Sequence, residues 1–334
     1  MSVTFSGAFT FTGGGFTATL APPTQATAGW FAGGANGAGN QSRVSRITYA
    51  TDTDTGTTRG PLSTVPYNYG ASTGTFDYGW FGGSATSSSP YSVSTVQRIT
   101  YVTDTNTASI RGPLNRIVGE LAATTDGTTY GWFGGGYGST PGPNSINSLV
   151  SRITYATDTA TATARGPLSV AVRSHGASGD TTYGWFGGGY KAGGPISTVS
   201  RITYASDTDT ASARGSLSAV CYGMATTGNS TAGYFGGGAG LPIGTPGIRS
   251  TVDRIIYATD TATASTRGPL NITCKWLAAS TDNNTYGWWG AGTPGPTQIS
   301  SVSRITFATD TAVASTRGPL SISVQQLSAT SGIQ

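Results

Sequence analysis

Few side chains in this sequence could do chemistry alone. There is one histidine, His175, one glutamate, Glu120, and two cysteines, Cys221 and Cys274. General acid and base work needs a second positioned titratable group, and no repeat-breaking Asp, His or Cys accompanies Glu120 in sequence. His175 stands where other copies of a repeated unit carry Tyr69, Leu121, Met224, Leu277 and Leu327, which is the setting of a packed histidine. Cys221 and Cys274 replace Val118, Val172 and Val324, so they read as small buried hydrophobes, and two cysteines make no disulfide framework. Six aspartates, Asp52, Asp104, Asp158, Asp207, Asp260 and Asp310, recur among threonines. They read as turn residues whose carboxylates bond nearby backbone N–H groups, and one carboxylate per turn is too few for calcium. No glycine-rich loop opening a helix, metal-ligand spacing or nucleophile motif is present. These residues predict a protein that is not an enzyme and holds no cofactor or metal.

The elements that would position such side chains come from the repeat. One unit runs from Gly131 to Leu168, and an arginine recurs in each copy at Arg46, Arg98, Arg152, Arg201, Arg254 and Arg304. A second arginine, in an RGPL-type exit, follows 13 residues later in every copy, with the aspartate always six after the first. Units of this length mark propellers and solenoids. Each unit reads as four strands. A small-residue strand, such as Ala122-Ala123-Thr124, suits crowding around an axis. An aromatic pair, such as Trp132-Phe133, precedes a glycine doublet, and adjacent residues on a strand point to opposite faces, so each pair can wedge against both neighbours. The strand VSRITYAT has substantial side chains on both faces and expects cover on both. A fixed-length hairpin then returns to RGPL.

The expected architecture is all-β: a six-bladed propeller with four antiparallel strands per blade. The sixth exit is followed by a small-residue strand, Leu327 to Thr330, with no aromatic strand after it, while the first aromatic strand at Trp30 lacks a good partner before it. The C-terminal strand is therefore expected to complete blade 1 as its innermost strand, residues 321–334 supplying it to a propeller spanning 24–334. Residues 1–23 stand outside the repeat, where Phe5, Phe9 and Phe11 alternate with polar residues as a β arm. That arm either covers an edge of the ring or attaches it to a partner chain.

Composition narrows the partners. The chain of 334 residues has 51 Gly, 16 Pro and only 10% charged residues, with net charge +4. Most arginines sit at the two fixed repeat positions and read as framework, without a lysine-rich run, so no nucleic-acid partner is expected. No window approaches a membrane span, and the first residues lack the basic start and apolar core of a secretory signal.

The order of aromatic pair, glycine doublet, loop, strand with Arg and Tyr, Asp turn and arginine exit resembles the kelch repeat of β-propellers over about Thr24 to Gln334. It departs from the kelch pattern in lacking a tryptophan on the outermost strand. More narrowly, WFGGG followed by VSRITYATDTATATARGPLS resembles kelch-type repeats of bacteriophage virion proteins, particularly marine ones. That resemblance implies a virion structural or recognition protein in capsid decoration, neck or tail fibre, present in multiple symmetric copies and contacting other virion proteins or a host-surface glycan. A cellular carbohydrate-binding propeller is the alternative.

Aligned on RGPL, the eighth residue after the arginine is Tyr67, Gly119, Arg173, Tyr222, Lys275 or Gln325, and the ninth is Asn68, Glu120, Ser174, Gly223, Trp276 or Gln326. These positions vary in size, charge and aromaticity between copies on an otherwise constant frame. They are expected to share a face with the length-variable loops, which is where recognition surfaces form. Tyr67, Asn68, Glu120, Arg173, Tyr222, Lys275, Trp276, Gln325 and Gln326 are the expected binding residues, with Phe5, Phe9 and Phe11 as the attachment arm.

Overall fold

A computed structural model of the chain describes residues 25–64, 69–85, 92–138, 145–240 and 247–332. The arm with Phe5, Phe9 and Phe11 lies outside the described residues, as do Tyr67 and Asn68.

Each repeat folds as one four-stranded antiparallel sheet. In the third unit the strands are Ala122–Thr125, Tyr130–Gly134, Val150–Thr154 and Thr163–Arg165, paired in that order from inside to outside. Six such sheets form the blades of a propeller. The inner strands Ala71–Gly74, Ala122–Thr125, Gly176–Gly179, Ala225–Gly228, Ala278–Thr281 and Ser328–Ser331 each touch the next around the axis. The last one closes the ring: Ser328–Ser331 pairs with Ala28–Ala32, Gly29 opposite Ser331 and Ala32 opposite Ser328. Blade 1 therefore takes its inner strand from the far end of the chain. No helix of the described residues is long and apolar enough to cross a membrane.

The core lies between blades rather than within one. Trp80 and Val96 of blade 2, for example, cluster with Phe133, Ile153 and Tyr155 of blade 3. The aromatic pair supplies contacts in both directions, as adjacent strand residues must. Its first member stacks on an aromatic residue of the following blade, Trp132 on Tyr204 with ring centroids 4.0 Å apart. Its second packs against the preceding blade's glycine. A Cβ on Gly134 would lie 2.8 Å from the Phe186 ring, so glycine gives the closest approach there, while in blade 1 Ala32 takes the position and packs with Phe81.

The aspartates differ from the sequence expectation. Each ends a one-turn 3-10 helix, Tyr155–Thr157 before Asp158, so the backbone turn is as expected. The carboxylate, however, reaches the preceding blade instead of local N–H groups. Asp158 Oδ2 accepts the Trp80 indole N–H at 2.8 Å and the Arg98 guanidinium at 2.9 Å, with Arg111 Nε at 3.5 Å. The same trio recurs at Asp104, Asp207, Asp260 and Asp52, and Tyr234 replaces the tryptophan at Asp310. The reason is geometric: the turn projects its carboxylate over the seam, where three N–H donors of the neighbouring sheet converge. Twelve arginines are thereby absorbed into a closed belt of six clasps.

Candidate functional site

The connections from outer strand to next inner strand and the loops between second and third strands emerge together on one face. They pair as short antiparallel bridges: Arg173 with Tyr190, Tyr222 with Ala239, Lys275 with Thr293, Gln325 with Ala35, and Val118–Gly119 with Tyr137–Gly138. One more contact unites the six connections. Tyr69, Glu120, Ser174, Gly223, Trp276 and Gln326 are all left-handed, with φ of 51, 56, 51, 67, 56 and 62°. Each backbone N–H donates to the carbonyl of its counterpart in the preceding connection, at 2.7 to 2.8 Å: Glu120 to Tyr69, Ser174 to Glu120, Gly223 to Ser174, Trp276 to Gly223, Gln326 to Trp276 and Tyr69 to Gln326. The result is a cyclic hydrogen-bond collar at the mouth of the central channel. Beneath it lies a cavity of about 110 Å³, walled by all six inner strands through Ala71, Ala122, Gly176, Ala225, Ala278 and Ser328.

The collar carries the side chains that the sequence singled out. Arg173 Nη1 donates to both carboxylate oxygens of Glu120, at 2.8 and 3.0 Å, and Ser174 Oγ donates to the same carboxylate. The Arg173 guanidinium also lies 5.0 Å from the Tyr137 ring and 5.3 Å from that of Tyr190. Lys275 Nζ sits 4.1 Å over Trp276, and Tyr69 meets Trp276 edge-on with centroids 6.0 Å apart. Trp276 can lie there because its neighbour is glycine, where a Cβ on Gly223 would stand 2.7 Å from the indole. Tyr222 and Tyr190 pack edge-on at 5.6 Å, and Gln326 donates to the Tyr69 hydroxyl. Burial raises the Tyr69 phenol well above its ordinary range, aided by the Glu120 charge, so it remains a donor. Gln325 enters this face through its backbone bridge to Ala35.

Sequence alignment missed Tyr69, and with it the equivalence of His175. The connection from Arg59 to Ala71 is one residue longer than those from Arg111 to Ala122 or Arg165 to Gly176. Tyr69, not Asn68, therefore takes the collar position, and Gly70 rather than Tyr69 corresponds to His175. Counting back from the small-residue strand instead of forward from RGPL would have found it. Tyr137 and Tyr190 were missed because they sit in loops of unequal length.

Four further titratable residues, His175, Arg116, Cys221 and Cys274, are packed. His175 is buried against Phe186, and its pKa falls to about 3 through desolvation and the nearby Arg116 charge. Its ring nitrogens make no full hydrogen bond, the Gly134 carbonyl acting on it only weakly. Arg116, buried, donates to the carbonyls of Leu149 and Phe133, and desolvation lowers its pKa to about 10. Burial pushes the thiols of Cys221 and Cys274 up to about 12. Among the described residues no three of His, Cys, Asp and Glu gather as a metal cluster.

Charge is divided by face. Outside the belt the cations are Arg43, Arg116, Arg173, Lys191, Arg249 and Lys275, all on the collar side, with Glu120 and Asp253 the only acids there, giving 6 − 2 = +4. On the opposite side the belt contributes 12 − 6 = +6, offset by Asp54, Asp77, Asp126, Asp180, Asp209 and Asp282. The chain's net charge is thus that of the collar face.

Comparison with known proteins finds no matching family model and no matching curated relative. A solved structure titled "Structure of YjhT", a kelch-type propeller protein, matches with TM-score 0.68 and 11% identity over 88% of this chain and 97% of that one. At that identity the likeness is one of fold: this chain has the fold of a kelch-type β-propeller.

Proposed function

We propose that the protein is a non-enzymatic recognition and structural component of a bacteriophage particle, with the collar as its contact face. The observation that carries the recognition reading is the choice of residue at the collar. A left-handed conformation costs an L-residue about 1 kcal/mol, and Gly223 shows that glycine fits the ring. Five of the six positions nonetheless hold Tyr69, Glu120, Ser174, Trp276 and Gln326, all different. Strain accepted in order to present unlike side chains on a uniform frame suits a binding surface. Half-exposed aromatics beside Arg173 and Lys275, on the face that holds the net positive charge, suit an anionic glycan or an acidic protein surface. The particle assignment rests on the resemblance of the repeat units to phage virion repeats.

Electron microscopy of purified particles tests the assignment, because a virion component must appear in stoichiometric, symmetry-related copies. Absence from particles would leave the second reading, a cellular carbohydrate-binding propeller, favoured by Trp276, Tyr69 and Tyr222 at the mouth. In either setting, replacing Arg173, Lys275 and Trp276 together by alanine should reduce partner binding at least tenfold. Unchanged binding by a folded triple variant would remove the collar from the account.

A further inference from the structure

A second site lies on the opposite face, at the seam between blades 1 and 2. In blades 2, 3, 4 and 6 the second strand begins with a tyrosine, and the third-strand arginine of the same blade lies over its ring: Arg98 over Tyr78 at 4.3 Å, Arg152 over Tyr130 at 4.0 Å, Arg201 over Tyr183 at 4.2 Å and Arg304 over Tyr286 at 4.1 Å. Blade 1 has Ala28 there, opposite Thr48. The Arg46 side chain is 28% exposed, against 17 to 21% for its five counterparts. Blade 5 also has alanine, Ala232, but it pairs with Ile256 where the other third strands have threonine, which restores bulk. At blade 1 no described residue does so. A cavity of about 380 Å³ remains, bounded by Ala28, Arg46, the stacked Trp30 and Tyr101, and Phe76.

Phe76 is the second departure from the repeat at this seam. The equivalent turns elsewhere hold polar or small residues, such as Asp126-Gly127-Thr128 and Asp180-Thr181-Thr182, whereas Phe76 is 42% exposed and faces the void. A missing ring under an arginine and an added apolar wall therefore coincide, and the volume lies within the roughly 300–1,000 Å³ of small-ligand pockets.

We propose that this cavity receives a tyrosine side chain from a partner polypeptide. The molecule supplies the template four times over: a phenol ring set beneath the third-strand guanidinium, its electron-rich face toward the cation. Charge complementarity selects an aromatic ring over an aliphatic chain, while Trp30, Tyr101 and Phe76 provide the apolar walls. The site is remote from the collar, so its failure would leave the recognition reading untouched.

The test uses the full chain with two probes, p-cresol and N-acetyl-tyrosinamide, followed by NMR of the Trp30 indole, with N-acetyl-alaninamide as control. Saturable millimolar binding of both tyrosine probes and none of the control is expected. Ala28→Tyr should abolish binding and raise the melting temperature, because the introduced ring reproduces blades 2, 3, 4 and 6. Phe76→Ala, at an exposed turn, should keep the fold and weaken binding several-fold. Absence of saturable binding, or binding that survives Ala28→Tyr, would overturn the proposal. Binding of p-cresol alone would overturn the polypeptide source.

Discussion

At the scale of single residues, the histidine gives the clearest expectation. His175 is neutral in the folded chain because burial and Arg116 hold its pKa near 3, while an unfolded histidine titrates near 6.5. The folded value is the lower one, so the unfolded state binds the extra proton between these pH values. Stability is then complete above pH 6.5 and falls as pH drops toward 3, by about 2 kcal/mol at pH 5. Leucine occupies the equivalent place at Leu121, Leu277 and Leu327. His175→Leu should therefore match or exceed the parent at pH 7, and its advantage in unfolding free energy, measured by urea titration, should widen by about 2 kcal/mol at pH 5. An advantage that did not change with pH would mean that the imidazole is not desolvated in the folded chain. The two thiols illustrate the same effect of burial, since groups held at about 12 present almost no thiolate at neutral pH.

At the scale of the element, the unit that matters is the hairpin with its aspartate. A turn aspartate and a clasp aspartate make different predictions for Asp158→Asn. Asparagine keeps the local hydrogen-bonding ability of a turn residue but removes the charge that holds Arg98 and Arg111. Loss of one partner from a buried ion pair costs about 3–5 kcal/mol, so chemical denaturation should place Asp158→Asn about 3 kcal/mol below the parent. A cost under about 1 kcal/mol, ordinary for a surface change, would return the aspartate to a purely local role. The hairpin also shows what the sequence could reveal. The strand order, the wedge of each aromatic pair and the framework role of the arginines follow from period, alternation and fixed spacing, which act within one unit. The clasp does not, because Asp158 and Trp80 are 78 residues apart and meet only when sheets are set side by side. Its signal was present in the invariance of aspartate and arginine together with a tryptophan that only Tyr234 replaces. The collar was half legible: Glu120, Trp276 and Gln326 were found, but one inserted residue before Ala71 hid Tyr69.

At the scale of the whole molecule, three closed circuits run around the same axis: the backbone collar, the clasps and the stacked aromatic pairs. Each is complete only if blade 6 meets blade 1, where Trp288 and Arg304 reach Asp52 and Trp288 stacks on Tyr49 at 3.9 Å. That meeting is held by Ser328–Ser331, which pairs with Ala28–Ala32 and sends Thr330 to the Tyr101 hydroxyl of blade 2 at 2.9 Å. Repeat arrays gain stability from neighbour interfaces rather than from each unit alone. Removing residues 321–334 therefore takes away more than one strand: it exposes the edge at Ala28–Ala32, opens the collar at Gln326 and loosens the blade 6 to blade 1 seam. The truncated chain should melt at a much lower temperature with a broader transition, and small-angle scattering should give a larger radius of gyration. A synthetic peptide of residues 321–334, added in excess, should restore the melting profile by strand addition, as a donor strand completes an open sheet. A truncated chain that melts like the full one would show that the six sheets cohere without the strand that closes them.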